Sequence, residues 1–147
     1  VETEMFGERR VRSSNSSESP RPDMARVLIV DDEEFVRDLV KEVLLAQGHE
    51  FELAADGTAA LDILRKKAID LAIIDRNMPG MSGIQVVQLI RQNPRTKALK
   101  VLMCTASCVT KEIDEAFAAG ADDYILKPLN FATLLKKVTK ALASAAQ

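Results

Sequence analysis

Five polar side chains in this 147-residue chain each follow directly on a short apolar run. Asp31 and Asp32 come after VLIV, Asp75 after LAII, Thr105 after VLMC, and Lys127 after YIL. The first position is the most charged, because Asp31, Asp32, Glu33 and Glu34 stand in a row. Two carboxylates 4–5 Å apart repel by roughly 3–4 kcal/mol at an effective dielectric of 20. A site that gathers several of them must raise a carboxyl pKa or hold a cation. A hydroxyl and an ammonium at the other two run ends would add a hydrogen-bond donor and a fixed positive charge.

Whether these groups meet depends on the elements that carry them. From Met24 onward, apolar runs rich in β-branched residues alternate with segments of helical periodicity. RVLIV, HEFELAA, DLAIID, KVLMCTA and DYILK read as strands, the second being the weakest. EFVRDLVKEVLLAQG reads as a helix with Phe35, Val36, Leu39, Val40, Val43 and Leu44 on its buried face and Gly48 as its stop. TAALDILRKK, SGIQVVQLIRQNP, TKEIDEAFAAG and NFATLLKKVTKALASAA supply four more helices, with Asp56, Ser82 and Asn130 as caps. Five strand–helix units predict an α/β fold with parallel strands covered by helices on both faces and right-handed crossovers. In such sheets the functional crevice lies beyond the carboxyl ends of the strands, where the strand order reverses.

That rule places the five polar groups at one edge. Several carboxylates with room for water form an all-oxygen site that suits Mg²⁺ better than Ca²⁺ or Zn²⁺. Each residue taken alone also has a plainer reading. Glu33 and Glu34 are expected to serve only the helix dipole. Asp75 could merely form an Asx turn, Thr105 and Ser107 could bond the local backbone, and Lys127 could be a surface lysine. The coincidence at four separate strand ends favours a shared site.

Composition narrows the classes. Apolar residues make up 47% of the chain, enough for a core, and a formal net charge of −2 gives no basic surface for nucleic acid. No apolar run approaches the roughly 18–20 residues of a membrane span, and no signal peptide is visible. Cys104 and Cys108 lack further cysteine or histidine partners for zinc and are expected to be two small buried hydrophobes in a reduced compartment. His49, the only histidine, follows Gly48 in a turn and is expected to have a surface role. Residues 1–23 are rich in Ser, Arg and Pro and read as a disordered linker or a remnant of cloning. The expected product is a cytoplasmic protein with one domain over residues 24–147.

VLIVDDE, DLAIIDRNMPGMSG, VLMCTA and DDYILKPL together resemble the receiver domain of bacterial two-component response regulators of the chemotaxis-regulator type. The resemblance implies a flavodoxin-like, doubly wound, five-stranded parallel sheet with five helices. It implies that Asp75 accepts a phosphoryl group from a phosphohistidine on a sensor histidine kinase or a histidine phosphotransfer domain. Asp31, Asp32, Asp75 and the backbone carbonyl of Asn77 are then the Mg²⁺ ligands, with Asp32 direct and Asp31 acting largely through water. Lys127 pairs with the phosphoryl group and Thr105 bonds it once formed. Tyr124 is the switch aromatic, and the Lys127–Pro128 bond is cis. Ser107 and Asn77 fall at positions that tune phosphate lifetime. The output is a changed surface on the fourth helix, fifth strand and fifth helix, read by a downstream protein target, without direct nucleic-acid or membrane binding.

Other readings fit less well. A haloacid-dehalogenase-type phosphoesterase needs Asp, one residue, then Asp after the first strand, where this chain has DDEEF. A flavodoxin-type cofactor site needs a phosphate loop where four acids stand. The alternative in a different class is a receiver-like interaction module that is never phosphorylated. The sequence is compatible with a stand-alone receiver and with one taken from a larger regulator or hybrid histidine kinase.

Overall fold

The computed structural model describes residues 24–145. The linker or remnant expected at residues 1–23 lies outside the described residues. The chain runs β1 (Arg26–Val30), α1 (Glu34–Ala46), β2 (Glu50–Ala54), α2 (Gly57–Lys66), β3 (Leu71–Asp75), α3 (Gly83–Gln92), β4 (Lys100–Thr105), α4 (Thr110–Ala119), β5 (Asp123–Leu126) and α5 (Phe131–Ala145). All four ladders are parallel and the strand order is β2-β1-β3-β4-β5. The architecture is the parallel sheet covered on both faces that the alternation of elements predicts, with the doubly wound, flavodoxin-like strand order that the resemblance implies. Its switch point falls between β1 and β3, because the chain leaves β1 for one edge and returns through β3 toward the other.

Burial on both faces explains why β1, β3 and β4 read as continuous apolar runs. Leu28, Val30, Ala72, Ile74, Val101 and Met103 face a core closed by α2, α3 and α4. Val27, Ile29, Leu71, Ile73, Leu102 and Cys104 face a second core closed by α1 and α5. The three predicted caps form. Asp56 accepts from the Ala59 amide, Asn130 from the Thr133 amide, and Ser82 makes a reciprocal capping box with Gln85.

Three expectations need correction. Phe35 is not on the buried face of α1 but 78% exposed, because the first turn of that helix projects past the end of β1. Cys108 is exposed, since the loop after β4 leaves the sheet there, whereas Cys104 is buried and its thiol is pushed up to about 12 by burial. His49 is buried rather than on the surface. Its Nδ1 accepts the Ala25 amide at 3.0 Å and so satisfies a donor just before the first strand.

One arginine fastens the opposite end of the sheet. Arg91 of α3 donates to the carbonyls of Gly120, Leu99 and Lys97 and pairs with Asp122 at 3.1 Å. Asp122 in turn accepts the Val101 amide. Arg91→Ala strands several carbonyls at once and is expected to cost about 2–3 kcal/mol. A urea unfolding curve checks this, through a lower midpoint at unchanged slope.

Candidate functional site

The loop after β1 carries the acids over the carboxyl edge. The Asp31 amide donates to the Ala54 carbonyl, and the Asp31 carbonyl accepts from Arg37 at 2.7 Å. The Asp31 side chain is 2% exposed and both of its oxygens are engaged. Oδ1 accepts the Glu33 amide at 2.9 Å and Oδ2 accepts Lys127 Nζ at 2.9 Å. Asp32, by contrast, is exposed.

Asp75 ends β3, one strand over, and is 4% exposed. Its Oδ1 accepts the Asn77 amide at 3.3 Å and lies 3.3 Å from Lys127 Nζ. The Asx turn foreseen as a plain role for Asp75 therefore forms, and the carboxylate belongs to the cluster as well. One carboxylate oxygen from each of Asp31, Asp32 and Asp75 lies within 4.8 Å of the others. Burial, reinforced by the charge on Asp31, raises the Asp75 carboxyl to about 6, although Lys127 and the Asn77 amide pull the other way. Burial would lower the Lys127 ammonium, but hydrogen bonding and charge from Asp31 and Asp75 outweigh it and hold the group above the usual lysine range.

Lys127 is aimed by its own backbone. Its amide donates to the Thr105 carbonyl at 2.8 Å, which continues the β4–β5 ladder by one rung, and the Lys127–Pro128 bond that follows is cis. The ammonium also lies 3.6 Å from Glu33 Oε1. Glu33 thus does more than favour the helix dipole: it occupies the N-cap of α1 without a side-chain cap bond and adds charge to the rim.

Gly83 keeps Asp75 where it is. The Gly83 amide donates to the Arg76 carbonyl, and a Cβ there would sit 2.3 Å from the Asp75 carbonyl oxygen and 2.8 Å from Arg76 Cα. Neither backbone atom is at the end of a flexible chain. Gly83→Ala is expected to cost about 3 kcal/mol, at the upper end for overpacking. Thermal melts would show the loss.

Thr105 ends β4 and is 3% exposed, with its hydroxyl accepting the Ser107 amide at 3.1 Å. Tyr124 lies on β5, half-buried, its ring edge-to-face with Phe117 at 6.0 Å and 4.5 Å from Lys137 Nζ. Lys137 also donates to the Tyr124 carbonyl and to Asp123. The structure thus brings Asp31, Asp32, Asp75 and Lys127 into one cluster. Thr105 stands at the adjacent strand end, and Tyr124 is held against α4 and α5. Asn77 is exposed beside Asp75.

Sequence reasoning missed Arg37, Arg76 and Glu112. The Arg76 guanidinium, 13% exposed, donates to the Glu112 carbonyl at 3.0 Å and pairs with Glu115 at 2.6 Å and Glu112 at 3.6 Å. Arg37 lies one helical turn after Glu33, a weak local signal. Nothing local links Arg76 to a residue 36 positions away.

The family model for the response regulator receiver domain matches residues 27–139. The chain is 42% identical over 116 residues to the chemotaxis protein CheY-3 of Vibrio cholerae serotype O1, covering 78% of this chain and 89% of that protein. It is 40% identical over 116 residues to the response regulator protein FleR of Pseudomonas aeruginosa, covering 79% of this chain and 24% of that longer protein. Among solved structures, the chemotaxis response regulator CheY4 of Vibrio cholerae superposes with a TM-score of 0.77 at 38% identity, covering 80% of this chain and 98% of that one.

Proposed function

The chain belongs to the response regulator receiver domain family, and from that premise we propose that Asp75 is the residue that accepts the phosphoryl group. A receiver domain of a two-component system takes its signal from a kinase or phosphotransfer partner and passes it to an output target. The observation that carries the assignment is the convergence on Asp75. Lys127 Nζ lies 3.3 Å away and the other two acids offer oxygens within 4.8 Å, in a cluster whose exposed member is Asp32.

The donor set fits Mg²⁺. Neighbouring oxygens on an octahedral Mg²⁺ stand about 2.9 Å apart and opposite ones about 4.1 Å, so the Asp32 and Asp75 oxygens, within 4.8 Å of each other, need only a small contraction. Asp32 and Asp75 would bind directly, together with the Asn77 carbonyl. Asp31, with both oxygens engaged, would act through water. When bound, the ion neutralises phosphoryl oxygens and aligns them for transfer.

The residues then divide the work. An Asp75 carboxylate oxygen attacks phosphorus as the bond to the histidine nitrogen breaks, and the bonding pair leaves with that nitrogen. The product is an acyl phosphate on Asp75. Lys127 turns from Asp75 to the new phosphoryl oxygens, adding a charge already fixed in place. Thr105 donates its hydroxyl to the same group, and Tyr124 leaves Phe117 and turns inward behind it. The changed surface of α4, β5 and α5 is what a downstream protein reads. Among the described residues no helix is long and apolar enough to cross a membrane, and we place the activity in the cytoplasm.

Incubation with a small acyl-phosphate donor and Mg²⁺, followed by intact-mass measurement, tests the reading. One phosphoryl group is expected on the wild type, lost when Mg²⁺ is chelated and never gained by Asp75→Asn. A phosphoryl group that persists on Asp75→Asn would reject the acceptor assignment. An unmodified wild type would favour the unphosphorylated interaction module.

A further inference from the structure

The loop between β4 and α4 is tied to the residue that follows the acceptor. Ser107 Oγ donates to Glu112 Oε2 at 2.9 Å and accepts the Val109 amide at 3.1 Å, while the Ser107 amide donates to Thr105 Oγ1. The other oxygen of the same carboxylate, Glu112 Oε1, lies 3.6 Å from Arg76 Nε. Arg76 also donates to the Glu112 carbonyl and pairs with Glu115, so it grips the first turns of α4. Its own amide is fixed to the Cys104 carbonyl at 2.8 Å. A continuous path therefore runs from Arg76, through Glu112 and Ser107, to Thr105.

We propose that Glu112 is a positioning residue: with Arg76 and Ser107 it forms a latch that holds the β4–α4 loop and Thr105 in the resting arrangement. This rests on the reading of Thr105 as the hydroxyl that closes on the phosphoryl group. For Thr105 to advance toward Asp75, Ser107 must follow, because it lies two residues on and its amide is bonded to the moving hydroxyl. That step strains or breaks the bond to Glu112. Arg76 leaves Glu112 little freedom to follow, since its guanidinium is mostly buried and three contacts on α4 hold it. The latch thus biases the two-state equilibrium toward the inactive form, and its loss shifts the population the other way.

Beryllofluoride with Mg²⁺, a mimic of the phosphoryl group, reads the bias without chemistry. Glu112→Ala is expected to bind it about three- to tenfold more tightly, the range for losing one ordinary intramolecular hydrogen bond. Glu112→Gln, which keeps an acceptor for Ser107, should fall between. In the free protein without Mg²⁺, the Ser107 and Val109 amides should exchange with solvent several-fold faster in Glu112→Ala, while β1 and β3 stay unchanged. Ser107→Ala, which removes a single hydroxyl, gives the same beryllofluoride test should Glu112→Ala unfold α4. Combined with Arg76→Lys, Ser107→Ala should give a non-additive effect that vanishes in the Glu112→Ala background. Unchanged or weaker beryllofluoride binding, or amide exchange no faster than in the wild type, overturns the latch. If the wild type binds no beryllofluoride, the phosphoacceptor reading falls. The exchange experiment still reports separately whether Glu112 restrains the loop.

Discussion

Lys127→Ala is expected to slow acceptance of a phosphoryl group from a small donor by about two to three orders of magnitude, the usual loss for removing one preorganised donor from a developing anion. The ammonium sits 2.9 Å from Asp31 and 3.3 Å from Asp75, so it is already in place when charge builds on the phosphoryl oxygens. Removing it also leaves two buried carboxylates without their partner. The fold should lose about 2–4 kcal/mol at neutral pH, somewhat below a fully enclosed pair because Asp32 opens the site to water. The Asp75 carboxyl should rise above its value of about 6, since the largest opposing charge is gone. Mg²⁺ titration followed by melting temperature separates the two roles. Cation binding should survive in Lys127→Ala, or tighten, while transfer collapses. A folded variant with a wild-type transfer rate would show that Lys127 does not touch the phosphoryl group.

Asp75→Asn should do the opposite to stability. Burial and the neighbouring Asp31 raise this carboxyl from 3.8 to about 6, so the native state pays for its ionisation and the unfolded chain does not. Stability from this group is complete below about pH 4 and is lost as the pH rises through about 6. The amide carries no charge and keeps an oxygen for the Asn77 amide. With Mg²⁺ chelated, the variant should therefore be more stable than the wild type at pH 8 by about 1–2 kcal/mol, roughly 5 °C. The gap should close toward pH 4. Saturating Mg²⁺ should reverse the order, because the ion stabilises only the chain that retains all three carboxylates. Melting curves at two pH values, with and without Mg²⁺, give all four numbers. An Asp75→Asn variant that melts below the wild type at pH 8 without Mg²⁺ would mean that the carboxylate is not under strain.

Both effects arise at the carboxyl edge, and their origin can be followed from residue to geometry. The switch point puts β1 beside β3, so Asp31 and Asp75 meet although 44 residues separate them. Gly83 lets α3 begin against the backbone of Asp75. The rung from Lys127 to Thr105 sets the angle from which the ammonium returns to the acids. The cluster is stable enough to form and costly enough to favour a cation.

The sequence by itself determined the elements, the caps at Asp56, Ser82 and Asn130, and the edge at which the polar residues collect. Those signals are local: apolar periodicity, β-branched runs, cap residues and strand-end positions lie within a few residues of one another. Parallel crossovers allow few topologies, so local signals also fixed the fold class. The tertiary structure alone decided that Phe35 stands in solvent, that His49 is buried on the Ala25 amide, and that Cys108 is exposed while Cys104 is not. It also decided that Glu33 faces Lys127 and that Arg76 grips Glu112. These outcomes depend on which surfaces meet after the sheet has closed. A side chain's periodicity states which way it points from its own element, but only its neighbours in space determine what it touches.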